Sequence, residues 1–269
     1  NYGEFLAENP PSWEVRLKPG PNGEGTSWSC AHGVGRWKRN CGCRGGGPEE
    51  WTQEWRQPLR EALDWLRDDA ARLFEEKGSE FFKDPWAARD AYIRVIHDRK
   101  KNLKPFLAEH ATKPLTGRDL ITALRLMEMQ RNAMLMYTSC GWFFNDVSGI
   151  ETVQCLQYAG RALQLGEELF GPGLEEPLLR RLELAKSNLP EQGDGRTLWA
   201  RCVKPAMVDL EKVAAHFVVV AMFEPPARHN RSYGYAVQLD DWKALEAGKS
   251  KMVMGKALVT NERTKESAR

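Results

Sequence analysis

Residues Thr138–Leu165 read TSCGWFFNDVSGIETVQCLQYAGRALQL. The first part is a turn and the second a helix. Trp142, Phe143 and Phe144 stand together and are followed at once by Asn145, Asp146 and Ser148. Ser148 and Glu151 have the spacing of a capping box, in which each side chain accepts from the other residue's backbone N–H. A helix is therefore expected from about Gly149 to Phe170, with Gly171-Pro-Gly as its stop. A buried core has no need of three polar side chains beside three aromatics. A sugar-binding rim uses that mixture, with ring faces for stacking and neighbouring groups for hydroxyls.

Helical spacing continues on both sides. Pro48 suits a first helical position, and Glu49 and Glu50 complement the positive end of a helix dipole. Trp51, Trp55, Leu59, Leu63, Leu66, Ala70 and Leu73 then recur on one face up to Gly78, with a kink or break expected at Pro58. Asp84-Pro85 is a second start, with Ala88, Tyr92, Val95 and Ile96 inward. Further helices are expected at about 103–110, 117–137, 175–186 and 197–220, the last interrupted by Pro205; Leu120, Leu124, Met127, Met134 and Leu135 form the inner face of 117–137. Residues 1–48 carry too many Gly and Pro for long helices, and 14–17 is a strand candidate. After Pro225-Pro226 the texture changes: 233–239 alternates and 252–260 reads as a strand.

The expected fold is mainly α. An irregular Gly/Pro/Cys-rich wrap (1–48) precedes a helical bundle (49–224), and the start of a small, truncated β domain follows (225–269). The segment from Val259 to Ser267 reads as a strand entering a hairpin that does not return. The chain does not begin with Met, so both ends read as cut edges of something longer.

The 269 residues hold 39 basic and 37 acidic side chains with no basic stripe, which argues against nucleic acid as a partner. The longest apolar run, Phe217–Phe223, falls well short of the roughly 18 residues of a membrane span. The polar start is unlike a signal peptide, and a cytoplasmic protein is expected.

Three segments carry a family resemblance. They are Thr26-Ser-Trp-Ser-Cys-Ala-His-Gly-Val-Gly-Arg-Trp with Cys41-Gly-Cys, then Trp55-Arg-Gln-Pro-Leu-Arg-Glu-Ala-Leu-Asp-Trp-Leu, then Met136-Tyr-Thr-Ser-Cys-Gly-Trp-Phe-Phe. Together they resemble the domain of unknown function 3536, the C-terminal region of proteins that begin with a glycoside hydrolase family 57-like barrel. The resemblance implies an α-glucan or malto-oligosaccharide ligand, a retaining mechanism without a metal cofactor, and catalytic carboxylates in the N-terminal barrel. On that basis this chain holds no catalytic residue and is silent alone. It lines or buttresses the barrel's cleft as an accessory domain. Many family 57 members place a Ser-Asp-Trp-aromatic element at the substrate. Ser139-Cys-Gly-Trp-Phe is similar, but Cys140-Gly141 replaces the Asp, so only Trp142 carries over as a stacking residue.

Other residues are weighed on their own chemistry. Cys30-x-His32 and Cys41-x-Cys43 put three thiols and an imidazole into one short window, the ligand set of a structural zinc site. Zinc pairs more often have two intervening residues. This spacing favours reduced thiols in a glycine-rich loop and no cofactor, with structural zinc as the alternative. The same loop offers Trp28, His32, Arg36 and Trp37 to a sugar, beside Trp142 and Phe143. Asp146 and Glu151 invite a two-carboxylate glycosidase reading, but the capping box explains the pair better. Asp146 remains a candidate for sugar hydroxyls. Gln154 and Tyr158, with Glu151 and Arg161, form a polar stripe that suits hydroxyls, the barrel or solvent equally well. The competing functional reading is a purely structural or protein-interaction module, organised by zinc through Cys30, His32, Cys41 and Cys43.

Overall fold

The computed structural model describes residues 2–20, 23–224 and 226–269. Pro21 and Pro225, two of the prolines that punctuate the sequence, lie outside the described residues. A short helix α1 (Tyr2–Glu8) buries nothing. The strand candidate at 14–17 is not a strand, and Trp13, Val15 and Leu17 are exposed.

Helix α2 (Arg56–Gly78) starts eight residues later than the sequence pattern predicts. Pro58 sits in its first turn, where an N–H would have no intrahelical acceptor, so proline opens this helix without breaking it. Its N-terminal half buries Leu59, Leu63 and Leu66 in one core, and its C-terminal half buries Ala70 and Phe74 in a second. The next helices are α3 (Pro85–Ala91), α4 (Ile93–His97), α5 (Arg99–His110) and α6 (Gly117–Leu135). Asp84 caps α3 as expected, accepting from the backbone N–H groups of Trp86 and Ala87. On α6 the inner face includes Leu124 and Met127, but Met134 is half exposed and Ala133 points inward instead.

The turn after α6 holds α7 (Cys140–Phe143), and α8 (Ile150–Phe170) follows. The expected capping box does not form: the N-cap is Gly149, and no side chain caps the helix. Helices α9 (Glu175–Leu182) and α10 (Gly195–Leu198), a π-helical turn at Trp199–Val203, and α11 (Leu210–Ala221) complete the helical part. Cys155, Leu156, Ala159 and Leu163 of α8 pack in the first core against α2 and α9.

The fold is not mainly α with a truncated β end. It is mixed α/β, about 51% helical, with a four-stranded antiparallel sheet at its C-terminal end. The strands are β1 (His229–Ser232), β2 (Tyr235–Ala247), β3 (Ser250–Asn261) and β4 (Ser267–Ala268), paired in chain order. The hairpin expected not to return does return: β4 pairs with β3 through Val259 and Thr260. Local pattern missed it because a two-residue strand carries no alternation. The sheet also belongs to the helical body. Val213 of α11 packs on Val237 and Val259, and Arg125 of α6 pairs with Glu266, donating from Nε at 2.8 Å.

Trp142 stacks on Tyr137 with centroids 6.2 Å apart, and its Nε1 donates to the Arg56 carbonyl at 3.4 Å. At 1% exposure it is a core residue and offers no face to a sugar. Trp142→Ala should therefore cost about 4 kcal/mol of stability through the cavity it leaves. Trp28→Ala, at 93% exposure, should change stability by less than about 0.5 kcal/mol. Urea unfolding of the two variants checks both values.

Candidate metal centre

Cys30, His32, Cys41 and Cys43 converge, with one ligand atom from each lying within 4.8 Å of all the others. Glycines make this possible with only one residue inside each pair. Gly42 has φ +79° and turns the chain so that Cys41 and Cys43 face one point, and Gly33 at φ +69° returns the chain after His32. A Cβ on Gly33 would also meet the Gly25 carbonyl oxygen at 2.8 Å.

Two of the separations fit a metal directly. Sulfurs about 2.3 Å from a tetrahedral centre lie about 3.8 Å apart, and a sulfur and an imidazole nitrogen about 3.6 Å apart. The Cys30 and Cys41 sulfurs are 3.7 Å apart, and Cys43 Sγ lies 3.5 Å from His32 Nδ1.

The electrostatics favour a thiolate at Cys30. Burial alone would raise the Cys30 thiol, but the backbone N–H groups of Arg36 and His32 and the neighbouring thiols bring it down to about 6. Burial pushes Cys41 up, with the Cys30 thiolate adding to the shift. Two buried guanidiniums face this loop. Burial first and then Arg36 lower Arg56, against the three thiols, to about 10. Arg36 Nε and Nη1 are buried without a hydrogen-bond partner. Buried donors of this kind are costly when unpaired.

The loop is clasped to the body at one junction. Arg56 donates from Nη1 to the Cys43 carbonyl at 2.7 Å and from Nη2 to the Phe144 carbonyl at 3.2 Å. Gly45 N donates to Asn145 Oδ1 at 2.9 Å, and Asn145 Nδ2 returns a bond to the Gly46 carbonyl. Asp146 accepts from the backbone N–H and hydroxyl of Ser148, the hydroxyl of Ser187 and the backbone N–H of Asn188, at 2.6–2.8 Å. With four donors from the chain on it and 6% exposure, its carboxylate serves the junction and is not presented to a sugar, contrary to the sequence expectation. These donors outweigh burial and hold its carboxyl below the usual range.

The predicted sugar residues separate. His32 is in the thiol cluster. Arg36 is buried with its guanidinium 4.6 Å above the Phe143 ring, and Trp37 Nε1 is spent on the Ser139 carbonyl at 2.7 Å. Neither is free for a ligand. Trp28 is exposed beside half-buried Phe143, with centroids 6.3 Å apart. Gln154 and Tyr158 face another place, a cleft of about 640 Å³ shared with Arg161, His216, Tyr233 and Tyr235. Sequence reasoning missed Arg56, although a charged residue within the apolar stripe of α2 is a visible anomaly. It also missed Asn188, His216, Tyr233 and Tyr235, whose roles depend on contacts distant in sequence.

An α/β domain with a Cys3His cluster clasped to its helical part is the class of protein defined by this architecture. Residues 51–269 match the family described as Domain of unknown function (DUF3536), and the chain belongs to that family. The metal-ligand cluster lies just before the matched span. No curated protein and no solved structure matches the chain. Among the described residues, no helix is long and apolar enough to cross a membrane.

Asp146→Asn should lower stability by about 2 kcal/mol at neutral pH, because it removes charge-assisted bonds to buried donors. The native carboxyl titrates below its unfolded value. Its contribution is therefore complete above about pH 4 and is lost as pH falls through the lowered folded value. The gap between wild type and Asp146→Asn in thermal melts should be largest near neutrality and narrow as pH falls below about 4.

Proposed function

We propose that this chain is a non-catalytic accessory domain whose N-terminal loop is organised by a structural zinc ion held by Cys30, His32, Cys41 and Cys43. The observation that carries the reading is the convergence of four soft ligand atoms within 4.8 Å of one another. Zinc would supply cross-linking here: it takes N and S ligands in a closed set and needs no open position for this role. The cytoplasm, which keeps thiols reduced, is the compartment that suits this ligand set.

Protein expressed with zinc should carry one equivalent by elemental analysis. Cys41→Ser should reduce that content at least tenfold, because structural sites need the full set. Chelation should lower the melting temperature and make residues 26–47 protease-sensitive while α2 stays protected. Metal-free protein with the same melting temperature and the same protease resistance would refute the reading.

The resemblance to the C-terminal region of family 57-like proteins extends the proposal. Its partner would be an N-terminal barrel, and the domain would line or buttress an α-glucan cleft. The feature favouring direct glucan contact is the 640 Å³ cleft, where Gln154, Tyr158, Arg161 and His216 offer hydroxyl-binding groups beside Tyr233 and Tyr235. Maltohexaose should quench intrinsic fluorescence saturably, and Tyr158→Ala should weaken that response roughly tenfold. Absence of a response, or one that Tyr158→Ala leaves unchanged, removes the glucan contact and leaves the zinc-organised structural role intact.

A further inference from the structure

A cavity of about 910 Å³ lies between α5, the segment after it and the β3–β4 turn. Its floor is apolar and includes Leu103, Leu107, Ala111 and Leu115. Its rim is cationic: seven Lys or Arg side chains line it against one carboxylate, Glu262.

Four of the seven cations are already committed. Lys83 donates to the Glu109 carbonyl, Arg99 pairs with buried Glu128, Lys113 with Asp119, and Arg231 with Glu262. Lys100, Lys104 and Lys265 have no carboxylate partner among the described residues.

Local stability is sacrificed twice to place these lysines. Helix α5 is capped by Asp98, yet its first turn is Arg99-Lys100-Lys101 with no acidic residue, so positive side chains stand against the positive end of the helix. Lys265 sits at φ +65°, a left-handed conformation unfavourable for a residue with a Cβ. Both departures bring unpaired ammonium groups to the same cavity. Such conflicts between local preference and structure concentrate at binding sites.

We propose that this cavity binds a small anionic amphiphile: an alkyl chain ending in a phosphate or carboxylate. The chain lies on the leucine floor, and the acid head sits among Lys100, Lys104 and Lys265. The volume suits a ligand of that size, and the net positive rim supplies the charge complement. The site is separate from both the thiol cluster and the tyrosine-lined cleft.

Calorimetric titration of the whole chain with decyl phosphate below its micellar concentration tests the proposal. One saturable site is expected, with decanol and inorganic phosphate each binding at least roughly tenfold more weakly. Lys100→Gln/Lys104→Gln should weaken decyl phosphate roughly tenfold. Lys101→Gln, in the same turn but outside the cavity lining, should leave it unchanged. Binding of decanol as tight as that of decyl phosphate would overturn the proposal, as would equally tight binding of inorganic phosphate. Indifference to the double substitution, or no saturable binding at all, would also overturn it. Unaltered thermal melts of the lysine variants establish that any loss is local.

Discussion

The guanidinium of Arg56 is the constraint on which the N-terminal half of the structure depends. It is fully buried at the first turn of α2, where an isolated charge would be expensive. Two carbonyl groups face it, one from Cys43 in the thiol loop and one from Phe144 in the aromatic turn. Because α2 packs in both main cores, this one side chain fixes the loop and the turn relative to the whole helical body. Asn145 and Asp146 extend the junction to 45–46 and 187–188, so four separate stretches of chain meet within a few residues.

Charge balance ties this junction to the thiol cluster. Arg36 adds to the cost of Arg56 by disfavouring its charged form. Three thiolates around a divalent ion carry a net charge of −1, which compensates part of the two guanidiniums. Arg36 Nε and Nη1 are buried without a hydrogen-bond partner. Anionic sulfur favours the charged form of buried Arg56. That charge complement supports the proposed zinc site independently of ligand spacing.

The helices were legible wherever caps and apolar period agreed, as at Asp84-Pro85 and along 59–70. They were misread where a residue suited two roles. Pro48 has the chemistry of a helix start, but the helix opens at Arg56 with Pro58 in its first turn. Ser148 and Glu151 have capping-box spacing, yet Ser148 turns its hydroxyl to Asp146. The sheet was underestimated because β4 is two residues long and is defined by its partner. Among site residues, the Cys-x-His and Cys-x-Cys pairs were visible and their convergence was not, since φ values at Gly33 and Gly42 are conformations and not composition. Trp142 was read as a rim residue from its polar neighbours. Those neighbours serve the backbone of the junction, and the ring serves the core.

X-ray absorption at the zinc K-edge, on the protein as purified from zinc-containing medium, tests the central claim most directly. The account predicts a first shell of three sulfurs at about 2.3 Å and one nitrogen at about 2.0 Å. A shell made only of oxygen and nitrogen, or one with fewer than two sulfurs, would contradict it and would leave the Cys–His loop as a cluster of reduced thiols.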